Sequence, residues 1–245
     1  MNTTAPTDRS TRSRDAAFRS LADDHRRTLL AIVHDRSPDG IEKTELSVEF
    51  AAVTNDKPPG SVTDDERQRA LVDCRHRQLP ALIDAGLLEI DGDERVVTTD
   101  HWFFGTPQIE AVLVGHTDES DDVLSTIFGV IADSRRRTLL SVLEDWNRSV
   151  SVETLARSVA AREAETTVHA VSAKRVDRVQ ADLVHVHLPL LDDAGLLEYD
   201  HAENHISYDG HPILAVDRLT DESADTDGDD ESTPLAAAVS GRGNA

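Results

Sequence analysis

Two stretches of this sequence concentrate groups that recognise anions. Arg67, Arg69, Arg75 and Arg77 lie in the first, Lys174, Arg175 and Arg178 in the second, and Arg95 stands between them. A guanidinium can bridge O6 and N7 of guanine or clamp a phosphate, and an ammonium attracts phosphate as a point charge. The chemistry on offer is non-covalent reading of a nucleic-acid duplex. A competing use is open at every one of these arginines, which can instead pair with Asp64, Asp65, Glu66, Asp73 and Asp177 along a solvated helix face. Surface pairs of that kind are common and weak.

Other chemistry is poorly supplied. His76 and His185 recur in matching contexts, with His187 two residues beyond the second. Residues two apart on a helix point to different sides, and no cysteine or carboxylate set completes a tetrahedral site. Packed, hydrogen-bonded histidines are expected, and no metal. Cys74 is the one cysteine, so no disulfide can form within the chain. It falls on an apolar stripe and reads as core rather than as a redox sensor. There is no phosphate loop, no Gly-x-Ser-x-Gly, no His-Glu-x-x-His and no dinucleotide fingerprint. Neither an enzyme nor a bound cofactor is expected.

The basic stretches are positioned by a duplication. Leu79-Pro80-Ala81-Leu82-Ile83-Asp84-Ala85-Gly86-Leu87-Leu88-Glu89-Ile90-Asp91 returns as Leu188-Pro189-Leu190-Leu191-Asp192-Asp193-Ala194-Gly195-Leu196-Leu197-Glu198-Tyr199-Asp200. Upstream, Leu21-Ala22-Asp23-Asp24-His25-Arg26-Arg27-Thr28-Leu29-Leu30 matches Ile131-Ala132-Asp133-Ser134-Arg135-Arg136-Arg137-Thr138-Leu139-Leu140. The repeat is therefore of domain size.

In each unit the apolar spacing predicts three helices and a hairpin. Residues 15–33 and 123–143 form the first helical region, with Asp23 or Asp24 capping a fresh start. Ser37-Pro38-Asp39-Gly40 is a turn. The second helices cover 42–53, with Leu46, Phe50 and Val53 inward, and 152–161, with Leu155 and Val159 inward and Ser151 as cap. Helix three starts near Thr63, where Thr63 and Glu66 fit a capping box, and runs through Cys74 to Leu79. Its counterpart starts near Ser172 and runs through Val176, Val179 and Leu183 to Leu188. Pro80 and Pro189 predict a kink with the stripe in phase. Gly86 and Gly195 take φ > 0 and end the helix.

Hairpins follow at 89–97, with Asp91-Gly92 near the tip, and at 197–208, with Asn204 near the tip. Arg95 on the first hairpin is a phosphate candidate. A short last helix begins at Thr106-Pro107 and contains Ile109, Val112 and Leu113. His211-Pro212-Ile213-Leu214 reads as its equivalent.

The chain of 245 residues is long enough for two domains. Its net charge of −22 rests on abundant Asp, and its lysines are confined to Lys43, Lys57 and Lys174. That balance fits a solvated anionic surface adapted to a cytoplasm near salt saturation. At molar salt the Debye length is about 3 Å, so this acidity does not exclude a DNA partner. No apolar run approaches the roughly 20 residues needed to span a bilayer, and residues 1–14 lack an apolar signal core. A soluble cytoplasmic protein is expected, with no membrane partner.

At Leu-Pro-x-Leu-x-x-Ala-Gly-Leu-Leu and the upstream Leu-Ala-Asp-x-x-Arg-Arg-x-Leu-Leu, the chain resembles a haloarchaeal winged-helix domain family of unknown function, whose members are mostly described as transcriptional regulators. It is more distantly similar to the ArsR-type winged helix, whose recognition helix also ends in Leu-x-x-Ala-Gly-Leu. The resemblance covers residues 15–113 and 123–214. His76 and His185, Pro80 and Pro189, and Asp91 and Asp200 fit the haloarchaeal pattern. The metal-binding cysteines of ArsR proteins are absent, so metal sensing is not implied. Unit one departs in having Arg77-Gln78 where unit two has Val186-His187.

The expected architecture is mainly α with small β-hairpin wings, as two tandem winged helix-turn-helix domains. Residues 1–14 form a disordered arm, 15–114 the first domain, 115–122 an acidic linker, 123–216 the second domain and 217–245 a disordered acidic tail. The expected function is a DNA-binding transcriptional regulator, with helix three of each unit in the major groove of double-stranded DNA. One chain would read two half-sites, or two chains would form a homodimer through the helix around 109–113. The alternative is a protein-interaction module, favoured in unit one by Asp64, Asp65 and Glu66 at the start of helix three.

Overall fold

The structure, a computed structural model, describes residues 6–146 and 149–214. The expected tail at 217–245 lies outside the described residues. The first copy comprises α1 (Pro6–Leu21), α2 (Asp24–Asp35), β1 (Ile41–Glu42), α3 (Lys43–Thr54), α4 (Asp64–Asp73), a π-helical turn (Cys74–Gln78), α5 (Leu79–Asp84), β2 (Leu88–Ile90), β3 (Arg95–Thr98) and α6 (Pro107–Leu113). The second comprises α7 (Asp121–Ile131), α8 (Ser134–Glu144), β4 (Val150–Ser151), α9 (Val152–Glu163), α10 (Ala173–Asp182), a second π turn (Leu183–His187), α11 (Leu188–Asp193), β5 (Glu198–Asp200) and β6 (His205–Ser207). The architecture is mainly helical, with one small antiparallel sheet in each copy.

Local signals account for most boundaries. Asp23 accepts a hydrogen bond from the Arg26 amide and caps α2, and Asp133 does the same for α8 through the Arg135 and Arg136 amides. Thr63 and Glu66 form the full reciprocal capping box of α4. Gly86 (φ +74°) and Gly195 (φ +69°) close their helices with a Schellman pair. Gly86 N–H donates to Ile83 O and Leu87 N–H to Leu82 O; Gly195 N–H donates to Asp192 O and Leu196 N–H to Leu191 O. The leucines so joined are buried in both copies.

The expected kinks at Pro80 and Pro189 take the form of π turns just before them. A proline cannot donate to the carbonyl four residues back, and its ring displaces that carbonyl. The helix widens instead, so that the Leu79 amide reaches Cys74 O and the Leu188 amide reaches Leu183 O. The extra residue per turn breaks the expected phase. It carries Gln78 and His187 inward beside Leu79 and Leu188.

Each sheet has a third strand beyond the hairpin. The orders are β1-β3-β2 and β4-β6-β5, all antiparallel. Ile41 pairs with Val96, and Val150 pairs with Ile206, burying one apolar row per sheet. Gly40 (φ +66°) makes the close approach to β3 possible, since a Cβ there would lie 2.5 Å from Val97 Cγ1 and 2.9 Å from Val96 O.

Four expectations are corrected. Residues 6–14 belong to α1 rather than to a disordered arm, because Arg14 is 3% exposed with its guanidinium 5.4 Å from the Trp102 ring centroid. The acidic linker ends early: Ser120 caps α7, and Asp121 and Asp122 are its first turn. Val53 points outward at 57% exposure, and Leu46, Phe50, Ala51 and Ala52 form the inner face of α3. His211–Leu214 is turn and coil within the described residues rather than a helix.

The two copies meet through their first helices. Phe18 on α1 and Phe128 on α7, equivalent residues in the repeat, stack across the junction. Arg27 crosses from α2 to donate to Ser125 Oγ at 3.0 Å and to Asp121 Oδ1 at 2.9 Å. Its equivalent Arg137 crosses the other way to Asp15 Oδ1 at 2.7 Å. Each also donates to the C-terminal carbonyl of its own first helix, Leu21 O or Ile131 O. Burial pulls the Arg137 guanidinium below its ordinary pKa, opposed by Asp15. Ile109, Val112 and Leu113, the expected dimer contacts, are covered within the chain, where α6 packs on α2.

Candidate nucleic-acid interface

Helix three is α4 with its π turn in copy one, and α10 with its π turn in copy two. Both stand proud of the core. Ala70 is the one buried residue of α4, and Val176 and Val179 are those of α10. The remaining faces carry the basic residues singled out by sequence.

In copy two, Lys174, Arg175 and Arg178 are all exposed. Lys174 and Arg178 are four residues apart and share a face, and neither is engaged in an ion pair or hydrogen bond among the described residues. Arg175 leans toward Glu163, at 3.7 Å. The first turn of α10 contains no acidic residue, and the Ser172 side chain makes no capping bond. The positive end of the helix dipole is therefore not neutralised locally.

In copy one, Arg67 is paired with Asp64 at 2.8 Å. Arg69, Arg75 and Arg77 are exposed and unpaired among the described residues. The first turn of α4 is Asp64, Asp65 and Glu66. Glu66 is held to about pKa 2 by the Lys57 ammonium and by the Thr63 amide and hydroxyl. The starts of the two equivalent helices thus carry opposite charge.

The hairpins offer less than expected. Arg95 directs Nε to Asp39 O at 2.7 Å and a terminal nitrogen to Gly40 O at 2.5 Å, tying the turn before β1 to β3. Its guanidinium serves the fold. The tip of that hairpin is Asp91-Gly92-Asp93-Glu94, where Asp91 accepts from the Asp93 and Arg95 amides.

Helix three of copy two is fixed by a residue that sequence reasoning passed over. Arg135 on α8 grips Glu163 with two nitrogens, at 2.5 and 3.1 Å, and Asp182 at the end of α10 at 2.9 Å. Its equivalent in copy one is His25, which lies 3.8 Å from Asp73 with its ring edge-on to Phe50. The signal was present as one of three differences between the two matching blocks, His25 against Arg135, beside Leu21 against Ile131 and Asp24 against Ser134.

The histidines divide. His76 and His185 are exposed, contrary to the expected packing, because the π turns rotate them outward. His187 is 8% exposed with no partner for Nδ1, and burial lowers its pKa. Cys74 is 2% exposed and its thiol is pushed up to about 12 by burial and by Asp73, consistent with core. Among the described residues, no group of three or more His, Cys, Asp or Glu side chains is arranged to hold a metal, and no helix is long and apolar enough to cross a membrane.

Two units of this kind, each a set of helices closed by a small three-stranded sheet, define a tandem-domain protein. Residues 18–98 and 128–207 each match the model of the domain of unknown function DUF7344, and the chain belongs to that family. No curated protein and no solved structure matches it.

Proposed function

We propose that the chain is a DNA-binding transcriptional regulator composed of two winged helix-turn-helix units, with α10 as its principal reading helix. The observation that carries this reading is the pair Lys174 and Arg178, exposed, uncommitted and on one face at an uncapped helix start. In a winged helix, helix three enters the major groove and its N-terminal residues meet base edges. Arg178 has the reach for a guanine, and Lys174 and Arg175 suit phosphates. Helix N-termini attract anions through their free amides as well as through side chains. In copy one, Arg69, Arg75 and Arg77 supply further phosphate contacts behind an acidic start.

The same reading has the protein working in the cytoplasm of a salt-adapted cell, where a net charge of −22 is screened beyond contact distance. A mobility-shift assay at high KCl tests it. A duplex shifted by the native chain and released by charge reversal at Arg69 and Arg178 together supports the assignment; an unchanged shift removes these residues from the interface.

A second reading applies to copy one. Asp64 and Asp65, exposed at the start of α4, suit a basic protein surface better than a phosphate. Enrichment of a basic protein on the intact chain, abolished by Asp64→Lys with Asp65→Lys and with no DNA recovered, would favour it.

A further inference from the structure

The basic start of α10 has a second binder of the right charge in its own chain. Residues 217–231 read Asp-Arg-Leu-Thr-Asp-Glu-Ser-Ala-Asp-Thr-Asp-Gly-Asp-Asp-Glu, with Arg218 as the sole cation. We propose that this acidic segment docks on the face of α10 formed by Lys174, Arg175 and Arg178, and that it competes there with DNA phosphates. The competition rests on the DNA-binding reading above; the docking does not.

Charge complementarity selects the face. Many other cations of the described chain are already answered by carboxylates, among them Arg36 by Glu45 and Glu49, Arg135 by Glu163 and Asp182, and Arg162 by Asp145. Lys174 and Arg178 are not. The equivalent helix start in copy one is Asp64, Asp65 and Glu66, which repels the segment. Reach is sufficient. The described chain leaves the core at Leu214, which is 7% exposed. From there to Glu231 an extended chain covers up to ~55 Å, more than the roughly 45 Å across a compact protein of this length. Covalent attachment holds the charges of this segment at high local concentration near the helix. Carboxylates lying on these ammonium and guanidinium groups occupy the positions that phosphates would take, so DNA must displace them.

Carbodiimide coupling of the intact protein, read by mass spectrometry, tests the contact. The chain has lysines only at 43, 57 and 174. Lys43 lies 3.3 Å from Glu94 and Lys57 2.5 Å from Glu66, so these two couplings are internal references. The expected result is an intramolecular amide from Lys174 to a carboxylate within 217–231. It should fall at least roughly fivefold in the variant Arg175→Glu with Arg178→Glu, with both references unchanged, and persist in Arg75→Glu with Arg77→Glu.

In a second arm, duplex affinity is compared between the native chain and a full-length variant with the Asp and Glu of 217–231 replaced by Asn and Gln. The variant should bind roughly tenfold tighter at low salt, with the gain vanishing as salt rises. Absence of the Lys174 coupling while the references form overturns the docking. Equal DNA affinity of the two chains overturns the competition. Coupling without DNA binding by either chain upholds the docking and overturns the DNA reading instead.

Discussion

Phe18 and Phe128 occupy the same position in the two copies and stack on each other, their ring centroids 6.5 Å apart and their planes inclined by 16°. The repeat is therefore folded back on itself about this pair, with Arg27 and Arg137 crossing in opposite directions on either side. One chain joins in this way two equivalent surfaces, as a twofold dimer of single units would.

The shared junction predicts a single cooperative unfolding transition rather than two. Phe128 is fully buried, so Phe128→Ala should cost about 3–5 kcal/mol. Chemical denaturation followed by circular dichroism should show the whole curve moving to lower denaturant with one midpoint. A new early transition covering half the amplitude would mean that the copies are independently stable. The intramolecular pairing also predicts a monomer by light scattering, since α6 has no apolar face left to offer.

Arg135 predicts a local effect. Its guanidinium is 29% exposed and joins α8 to α9 and α10. Arg135→Gln should cost about 1–2 kcal/mol, reduced from a fully buried pair by solvent screening. The loss should be concentrated in α10. Hydrogen exchange should rise there and at the end of α9, while α4, held by His25 and Phe50, should stay as protected as before. Uniform acceleration across both copies would show that the clamp is not local.

Much of this was legible in the sequence, for identifiable reasons. Gly86 and Gly195 announced their Schellman ends because few other residues take that backbone conformation. Thr63 and Glu66 announced the capping box by spacing alone. The third strands were not legible, because Ile41–Glu42 and Val150–Ser151 are too short to show alternation. Residues 6–14 are polar enough to look unstructured, and their ties to the fold, Arg14 over Trp102 and Ser13 to His101, come from residues distant in sequence. An apolar stripe reports that something covers it but not what. The stripe at 109–113 therefore did not name α2 as its cover, and Phe18 looked like ordinary core. Of the candidate site, the residue list was readable but the commitments were not. Arg67 and Arg95 are occupied by Asp64 and by the carbonyls of Asp39 and Gly40. Nothing local in sequence distinguishes them from Arg69 or Arg178.

Glu66 gives a pH prediction with a defined sign. Its folded pKa, about 2, lies below the ordinary value of 4.5 because Lys57 and Thr63 bond to the carboxylate. A depressed carboxylate contributes stability above pH 4.5 and loses it as pH falls toward 2. The native chain should accordingly lose thermal stability over that window more steeply than Glu66→Gln, which lacks the titrating group. Thermal melts at intervals between pH 5 and 2 check this, and parallel curves for the two proteins would contradict it.

Gly40 predicts a steric effect. Gly40→Ala would bring a Cβ against Val97 and the Val96 carbonyl at positive φ. It should destabilise by more than the ~1 kcal/mol typical of a glycine substitution in an unstrained turn. Melting temperature compared with Gly92→Ala, where a Cβ meets open space, isolates the contribution of the close approach.

The most direct test of the account compares two charge reversals by fluorescence anisotropy on one duplex at one salt concentration. Arg178→Glu on α10 should weaken binding by roughly tenfold or more and flatten its salt dependence, whereas Arg69→Glu at the equivalent position of α4 should weaken it several-fold less. Equal losses from the two, or no loss from Arg178→Glu, would contradict the claim that the second copy carries the reading helix.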